Sequence, residues 1–130
     1  PGFVPDESAN DNSFVIRISY ARRSVLLVGD AEAEAERTLL ERDPTLLRSD
    51  LLKIGHHGSR TSTTQAFLEA VSPRVAFVCS GVRNRYGHPD PGVMQRLEAF
   101  GVAVARTDRG GDIVWETDGE LVRLVRPSAR

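Results

Sequence analysis

A chain of 130 residues, 40% hydrophobic and 27% charged, is one domain's worth and long enough for a core without crosslinks. Its 17 basic and 18 acidic residues leave a net charge of -1, which excludes a global field drawing the chain to nucleic acid, so any polyanion contact must be local. One cysteine, Cys79, excludes an internal disulfide and leaves the compartment open, and no apolar run approaches the roughly 20 residues of a membrane-spanning helix, so the chain reads as a soluble piece.

Residues 1–11 hold prolines, a glycine and small polar side chains and predict a flexible arm or linker ahead of a domain over residues 12–130. An opening at Pro1 without methionine reads as part of something longer. Over residues 13–20, Phe14, Ile16, Ile18 and Tyr20 alternate with Val15, Arg17 and Ser19, the pattern of a half-buried strand. Val25, Leu26, Leu27 and Val28 are apolar on both faces and predict a central strand covered on each side. That strand ends at Gly29-Asp30. Residues 31–41 then read as a helix, with Glu32 and Glu34 in the first turn, where the dipole favours acids. Asp30 therefore serves either as a helix N-cap or as a chemical group at a strand end.

Asp43-Pro44 breaks this helix, and a strand over residues 51–54 delivers two of the three histidines into the loop Gly55-His56-His57-Gly58-Ser59-Arg60. The flanking glycines permit unusual torsions and close approach to a ligand, while Ser59 and Arg60 suit an anionic substrate; a pair of ordinary polar loop residues is the plainer reading. Ser62-Thr63-Thr64-Gln65 has the form of a capping box and predicts a helix to Val71 with Phe67, Leu68 and Val71 inward. Residues 74–79 form another strand, followed by a loop in which Pro89 holds the third histidine, His88, extended. Asp90 is an N-cap with Pro91 in the first helical position, and Val93, Met94, Leu97 and Phe100 make an apolar stripe ending at Gly101. Residues 102–106, 113–116 and 121–125 read as closing strands, with Asp118-Gly119 as a hairpin turn and Trp115 as a packing residue. Alternating strands and helices with a terminal hairpin indicate a layered α/β domain with a mixed sheet. Asp30, His56-His57 and His88 follow three strands, and sites in such sheets form beyond the carboxyl ends of the strands. One carboxylate with two or three imidazoles suits zinc or manganese.

The runs Ser24-Val25-Leu26-Leu27-Val28-Gly29-Asp30, Leu52-Lys53-Ile54-Gly55-His56-His57-Gly58-Ser59-Arg60-Thr61-Ser62 and Asn84-Arg85-Tyr86-Gly87-His88-Pro89, in that order, resemble the C-terminal part of a metallo-β-lactamase-fold domain. The version they resemble is attached to ComEC-type competence proteins, bacterial cytoplasmic-membrane channels for DNA uptake. The resemblance implies about half of an αββα sandwich, with a mixed β-sheet, covering helices and a C-terminal hairpin. It implies Asp30 as an aspartate that bridges two metals and His56 as the last histidine ligand. His57, Ser59 and Arg60 stand near the metal or face a phosphate, and His88 contacts or protonates the substrate phosphate, which makes His57 and His88 the catalytic candidates. Arg60, Arg83 and Arg85 would flank a passing DNA strand, with Tyr86 stacking on a base.

The His-x-His-x-Asp-His motif of this family is missing from the sequence. The expectation is a portion of a metal-dependent phosphodiesterase or nuclease that holds its metal weakly and is inactive without the remainder of the parent chain. One sheet face would stand open and favour self-association. The alternative is a non-catalytic α/β interaction module, or a receiver-like module with Asp30 as phosphoacceptor beside Lys53.

Overall fold

A computed structural model describes residues 9–125; the expectations for residues 1–8 and 126–130 lie outside them. The short apolar runs separated by helix formers fold as successive βα units. β1 (Ile16–Tyr20), β2 (Arg23–Leu27), β3 (Leu51–Lys53), β4 (Val75–Val78) and β5 (Ala103–Arg106) make one five-stranded sheet in that order. β1 is antiparallel to β2 and every other neighbouring pair is parallel, so the sheet is mixed. α1 (Ala33–Arg42), α2 (Gln65–Val71) and α3 (Pro91–Ala99) are the crossovers; α4 (Thr107–Gly110) is a single turn leading to the hairpin of β6 (Val114–Thr117) and β7 (Val122–Val125). Crossovers of one hand between sequential parallel strands put their helices on one face.

That face is the core. Leu26, Leu52 and Ala76 are paired across β2, β3 and β4, and they are buried with Phe67, Leu68 and Val71 of α2 and Val93 and Leu97 of α3. Each such leucine, valine or phenylalanine contributes about 1.5–3 kcal/mol over leaving it in water. The opposite face is only partly covered. Val25 and Leu27 are half-buried, and Trp115 and Val122 of the hairpin share a groove with them and with Ile18, Leu51 and Phe77.

Several local expectations change in the structure. Helices cover β2 on one face while the hairpin covers the other only in part, and β3 is the middle strand of the sheet. Ile16, Ile18 and Tyr20 alternate as expected but point to the open face, 51%, 52% and 61% exposed, because the helices lie on the other side, where Val15 packs on the core. Phe100, at the end of the α3 stripe, is 39% exposed because the helix has ended by Ala99. Ala9–Asn12 form a 3-10 turn, so the end of the expected arm lies on the domain. From that turn Asp11 Oδ1 accepts hydrogen bonds from the amides of Glu32 and Ala35 at 3.3 and 3.2 Å, and so caps α1. Asp30 does not take the cap, and Glu32, at the N-cap position, makes no side-chain cap bond. In α2 the cap is Thr64, whose Oγ1 accepts from Phe67 N at 3.3 Å, because Ser62 Oγ already donates to the carbonyls of Gly55 and Ser59.

Glu36 of α1 is fully buried. Its carboxylate accepts the amides of Thr63 and Thr64, and Arg96 of α3 donates to the Thr63 carbonyl. Removing the carboxylate strands two buried donors, so Glu36→Ala should lose about 2–4 kcal/mol, read from urea unfolding. Burial raises the Glu36 pKa above its ordinary 4.5, against the opposing pull of the Thr64 and Thr63 amides and Arg96. The native chain then holds a proton that the unfolded chain releases, so this group's contribution is full below pH 4.5 and is withdrawn as the pH rises through the folded value. That downward slope should be present in the unaltered chain and missing in Glu36→Gln; an identical slope in both would contradict the assignment.

Candidate functional site

Parallel strands of one sheet end side by side, and here the ends bring three loops together. His56 N donates to Gly29 O at 3.2 Å, which ties the loop after β3 to the one after β2. Lys53 Nζ donates to Gly29 O and Ile54 O at 3.2 and 3.3 Å and braces the same junction. Within Gly55–Gly58 both histidines are left-handed, His56 at φ 44°, ψ 47° and His57 at φ 57°, ψ 20°. Non-glycine residues in that region cost on the order of 1 kcal/mol or more each and persist where surrounding bonds over-determine them. Those bonds are His56 N to Gly29 O, Ser59 N to His56 O at 2.9 Å, and Ser62 Oγ to Gly55 O at 2.8 Å. Gly58, at φ 82°, joins this loop to the one carrying His88: a Cβ there would lie 2.6 Å from Pro89 Cβ, and its carbonyl accepts Asp90 N at 2.8 Å.

The three imidazoles form a chain. His56 lies 6.2 Å from His57 and 5.9 Å from His88, between ring centroids, and His88 stacks on Tyr86 at 5.7 Å with planes 18° apart. His57 Nδ1 lies 2.6 Å from the Cys79 carbonyl, which can only accept, so Nδ1 carries the proton and Nε2 keeps a lone pair. That Nε2 is 3.5 Å from Asp30 Oδ1. When the ring is neutral, this lone pair and the carboxylate oxygen face each other across a half-exposed gap, an arrangement that suits a cation, a proton or a metal ion. An imidazole fixed by a backbone carbonyl on its other nitrogen is also how metal-binding histidines are held. His56 Nδ1 sits 2.8 Å from Glu32 Oε1, out of line for a hydrogen bond, and is otherwise buried without a partner. Glu32 Oε1 in turn accepts from Asn10 Nδ2 at 2.8 Å. Burial, and next the neighbouring His56 and His57, hold His88 below the usual histidine pKa, with Asp90 pulling the other way.

His57, His88 and Tyr86 line one cavity of about 430 Å³ with Cys79, Ser80 and Asn84. Arg85 lies over the Tyr86 ring at 5.2 Å and His88 stacks on it, so part of the ring surface expected to meet a base is already engaged, while Tyr86 remains 69% exposed. Arg60 and Arg83 are exposed and lie outside this lining. Ser59 is buried, and its Oγ is 2.9 Å from Thr61 Oγ1, which turns it into the loop. Among the described residues no group of three or more His, Cys, Asp or Glu could hold a metal ion by itself. The donors are of the right type for a borderline divalent ion but too few among the described residues to enclose one. Sequence reasoning missed Glu32, read as a dipole complement, and Asn84, whose side chain accepts His88 N at 2.8 Å and donates to His88 O at 2.7 Å. A four-residue spacing from Asn84 to His88 was the available signal.

Nitrogen-15 NMR of the imidazoles should show neutral His57 protonated on Nδ1, and His88 titrating below pH 6.5. Asp90→Asn, which keeps a capping side chain but removes the one charge favouring protonation, should move the His88 midpoint lower still. An upward shift in that variant would contradict the electrostatic picture.

Residues 9–82 match the metallo-beta-lactamase superfamily. The chain is 38% identical to ComE operon protein 3 of Bacillus subtilis over 85% of its own length and 14% of that protein. It is 39% identical to competence protein ComA of Neisseria gonorrhoeae over 78% of its length and 15% of that protein. Against recombination protein 2 of Haemophilus influenzae the figures are 40%, 87% and 14%. The chain thus spans about one seventh of the length of these relatives. Members of the matched superfamily generally bind divalent metals. With that match laid over the loops that carry Asp30, His56 and His57, the chain belongs to the metallo-beta-lactamase superfamily.

Proposed function

We propose that this chain is part of a metal-dependent hydrolase domain of phosphodiesterase or nuclease type, serving competence-associated DNA uptake in a membrane-associated parent. The observation that carries it is the facing pair of His57 Nε2 and Asp30 Oδ1 at 3.5 Å, with the other nitrogen of His57 fixed on Cys79 O. The competence and recombination proteins it resembles support the DNA-related role. Among the described residues no helix is long and apolar enough to cross a membrane, so any attachment lies elsewhere in the parent. The receiver-like alternative lacks its lysine, because Lys53 Nζ is engaged by Gly29 O and Ile54 O.

In this reading Asp30, His56 and His57 hold part of a divalent zinc or manganese site, and the remaining ligands come from outside the chain. A bound ion would supply Lewis-acid polarisation of a phosphoryl oxygen. Asp30 contributes negative charge at the carboxyl end of the sheet, and Glu32 adds a second carboxylate 2.8 Å from His56 Nδ1. His88 forms one wall of the cavity, and its lowered pKa keeps it neutral near pH 7, able to accept a proton from a group entering there.

Titration of the chain with zinc or manganese, followed through the His57 and His56 imidazole resonances, should show weak binding that falls by at least about tenfold in Asp30→Ala. The chain alone should cleave single-stranded DNA at background rate, since a partial ligand set holds the ion too weakly. Tight binding that survives both Asp30→Ala and His56→Ala, or robust chelator-sensitive cleavage by the chain alone, would overturn the reading.

A further inference from the structure

At the opposite end of the sheet, away from the imidazoles, the parallel strands β2, β3 and β4 begin rather than end, and several of the residues gathered there are arginines. Arg17 lies on β1, Arg22 immediately before β2, Arg48 ahead of β3 and Arg74 immediately before β4. Together they line a cleft of about 380 Å³ with Ser49 and Asp50 among the polar residues between them. The register builds the cleft: Asp50 N donates to Ser24 O at 3.1 Å and Arg74 N to Asp50 O at 2.9 Å, so the starts of β2, β3 and β4 are laced side by side.

Asp50 is the only carboxylate in this lining and is already engaged. Its Oδ2 accepts Ser24 N at 2.9 Å, and its Oδ1 pairs with Arg23 Nη1 at 2.9 Å. Arg22 faces Glu120 at 3.5 Å in an exposed pair. Arg17 is held in a fixed pose, with Nε donating to Arg48 O at 2.9 Å and Ser49 Oγ at 3.3 Å and Nη1 to Ser19 Oγ at 2.7 Å. The guanidinium groups of Arg48 and Arg74 are exposed and make no hydrogen bond or close ion pair among the described residues, while, against burial and beside the Ser24 amide and Arg23, the charge of Arg74 helps to hold the Asp50 pKa down. The cleft thus concentrates positive charge in a chain whose net charge is -1, and positions forked donors that match phosphate oxygens. Such a concentration repels itself until an anion enters. Arginines spread across this end of the sheet, three ahead of the parallel strands β2, β3 and β4 and one reaching in from antiparallel β1, match a run of phosphates better than one isolated oxyanion.

We propose that this arginine cleft binds the phosphodiester backbone of a nucleic-acid strand, as a second contact separate from the metal-site loops. The two places lie roughly 15 Å apart along β4, at about 3.3 Å per residue. The choice of ligand rests on the DNA-related reading above, while the cleft itself is argued from its own charge and geometry.

The test uses the full chain with a fluorescent oligothymidylate and chelator present, so that no metal chemistry enters, and reads binding by anisotropy across a salt series. Arg48→Ala with Arg74→Ala removes two exposed side chains that make no hydrogen bond among the described residues, Arg74 acting on Asp50 through charge alone, so the fold should persist, as checked by the unfolding midpoint. Binding should weaken about tenfold at low salt, and the salt slope should drop by about 1.4, at about 0.7 per phosphate contact on a single strand. Arg83→Ala with Arg85→Ala serves as the comparison at the metal-site end. If the unaltered chain binds and the Arg48/Arg74 variant matches it in affinity and slope, the cleft assignment fails while the DNA-related reading stands. If the unaltered chain does not bind the strand at all, both fail. Displacement of the strand by millimolar inorganic phosphate at constant ionic strength would mark a single-oxyanion site and overturn the backbone assignment.

Discussion

The carboxylate of Glu36 governs the arrangement of this domain. A carboxyl group enclosed by α1, α2 and α3 is tolerable only when its oxygens are satisfied, and the amides of Thr63 and Thr64 donate to them. That bond fixes where the segment after the histidine loop begins its helix, and through Arg96 on the Thr63 carbonyl it fixes α3 as well. Thr63 is itself left-handed, at φ 57°, a conformation the chain accepts because both of its backbone polar groups are engaged. The apolar core supplies most of the stabilisation. Glu36 adds directional bonds that tie α1 to the start of α2.

From this fixed junction the histidine loop takes its shape. Its start is pinned to Gly29 by the backbone and its end to Gly55 and Ser59 by Ser62 Oγ. Strain at His56 and His57 is therefore held by bonds belonging to the scaffold. The result is three imidazoles in three electrostatic settings: one beside a carboxylate, one locked on a carbonyl with its free nitrogen toward Asp30, and one partly desolvated against an aromatic ring. Groups of one chemical type become distinguishable by what surrounds them.

The fold was largely legible in the sequence because its signals are local. The doubly apolar run over Leu26, Leu27 and Val28, the Asp90-Pro91 helix start and the Asp118-Gly119 turn each announce an element without reference to the rest. What was not legible depended on tertiary choice. Alternation in β1 shows that Ile16 and Ile18 share a face, yet only the position of the helices decides that this face is the open one. Capping of α1 by Asp11 could not be read, since the carboxylate lies more than twenty residues before the amides it accepts. At the site, Asp30, His56, His57 and His88 stood out by type and by following strands. Glu32 and Asn84 did not, because their roles come from the partners that folding brings to them.

The contact between Gly58 and Pro89 carries a consequence for how this domain can vary. Two loops from different strands meet where neither has room for another atom, the Gly58 carbonyl receiving the amide just beyond Pro89. A bulkier residue at one position must be matched by a backbone displacement at the other, so the two loops behave as a single heritable unit. Grafting the His56-His57 loop onto a related scaffold without the His88-Pro89 loop would carry over the imidazoles and lose their spacing. Substitutions that reshape this corner are expected to arise in pairs, and Gly87 on the same rim is restricted for another reason, its left-handed φ of 70°, although nothing crowds it.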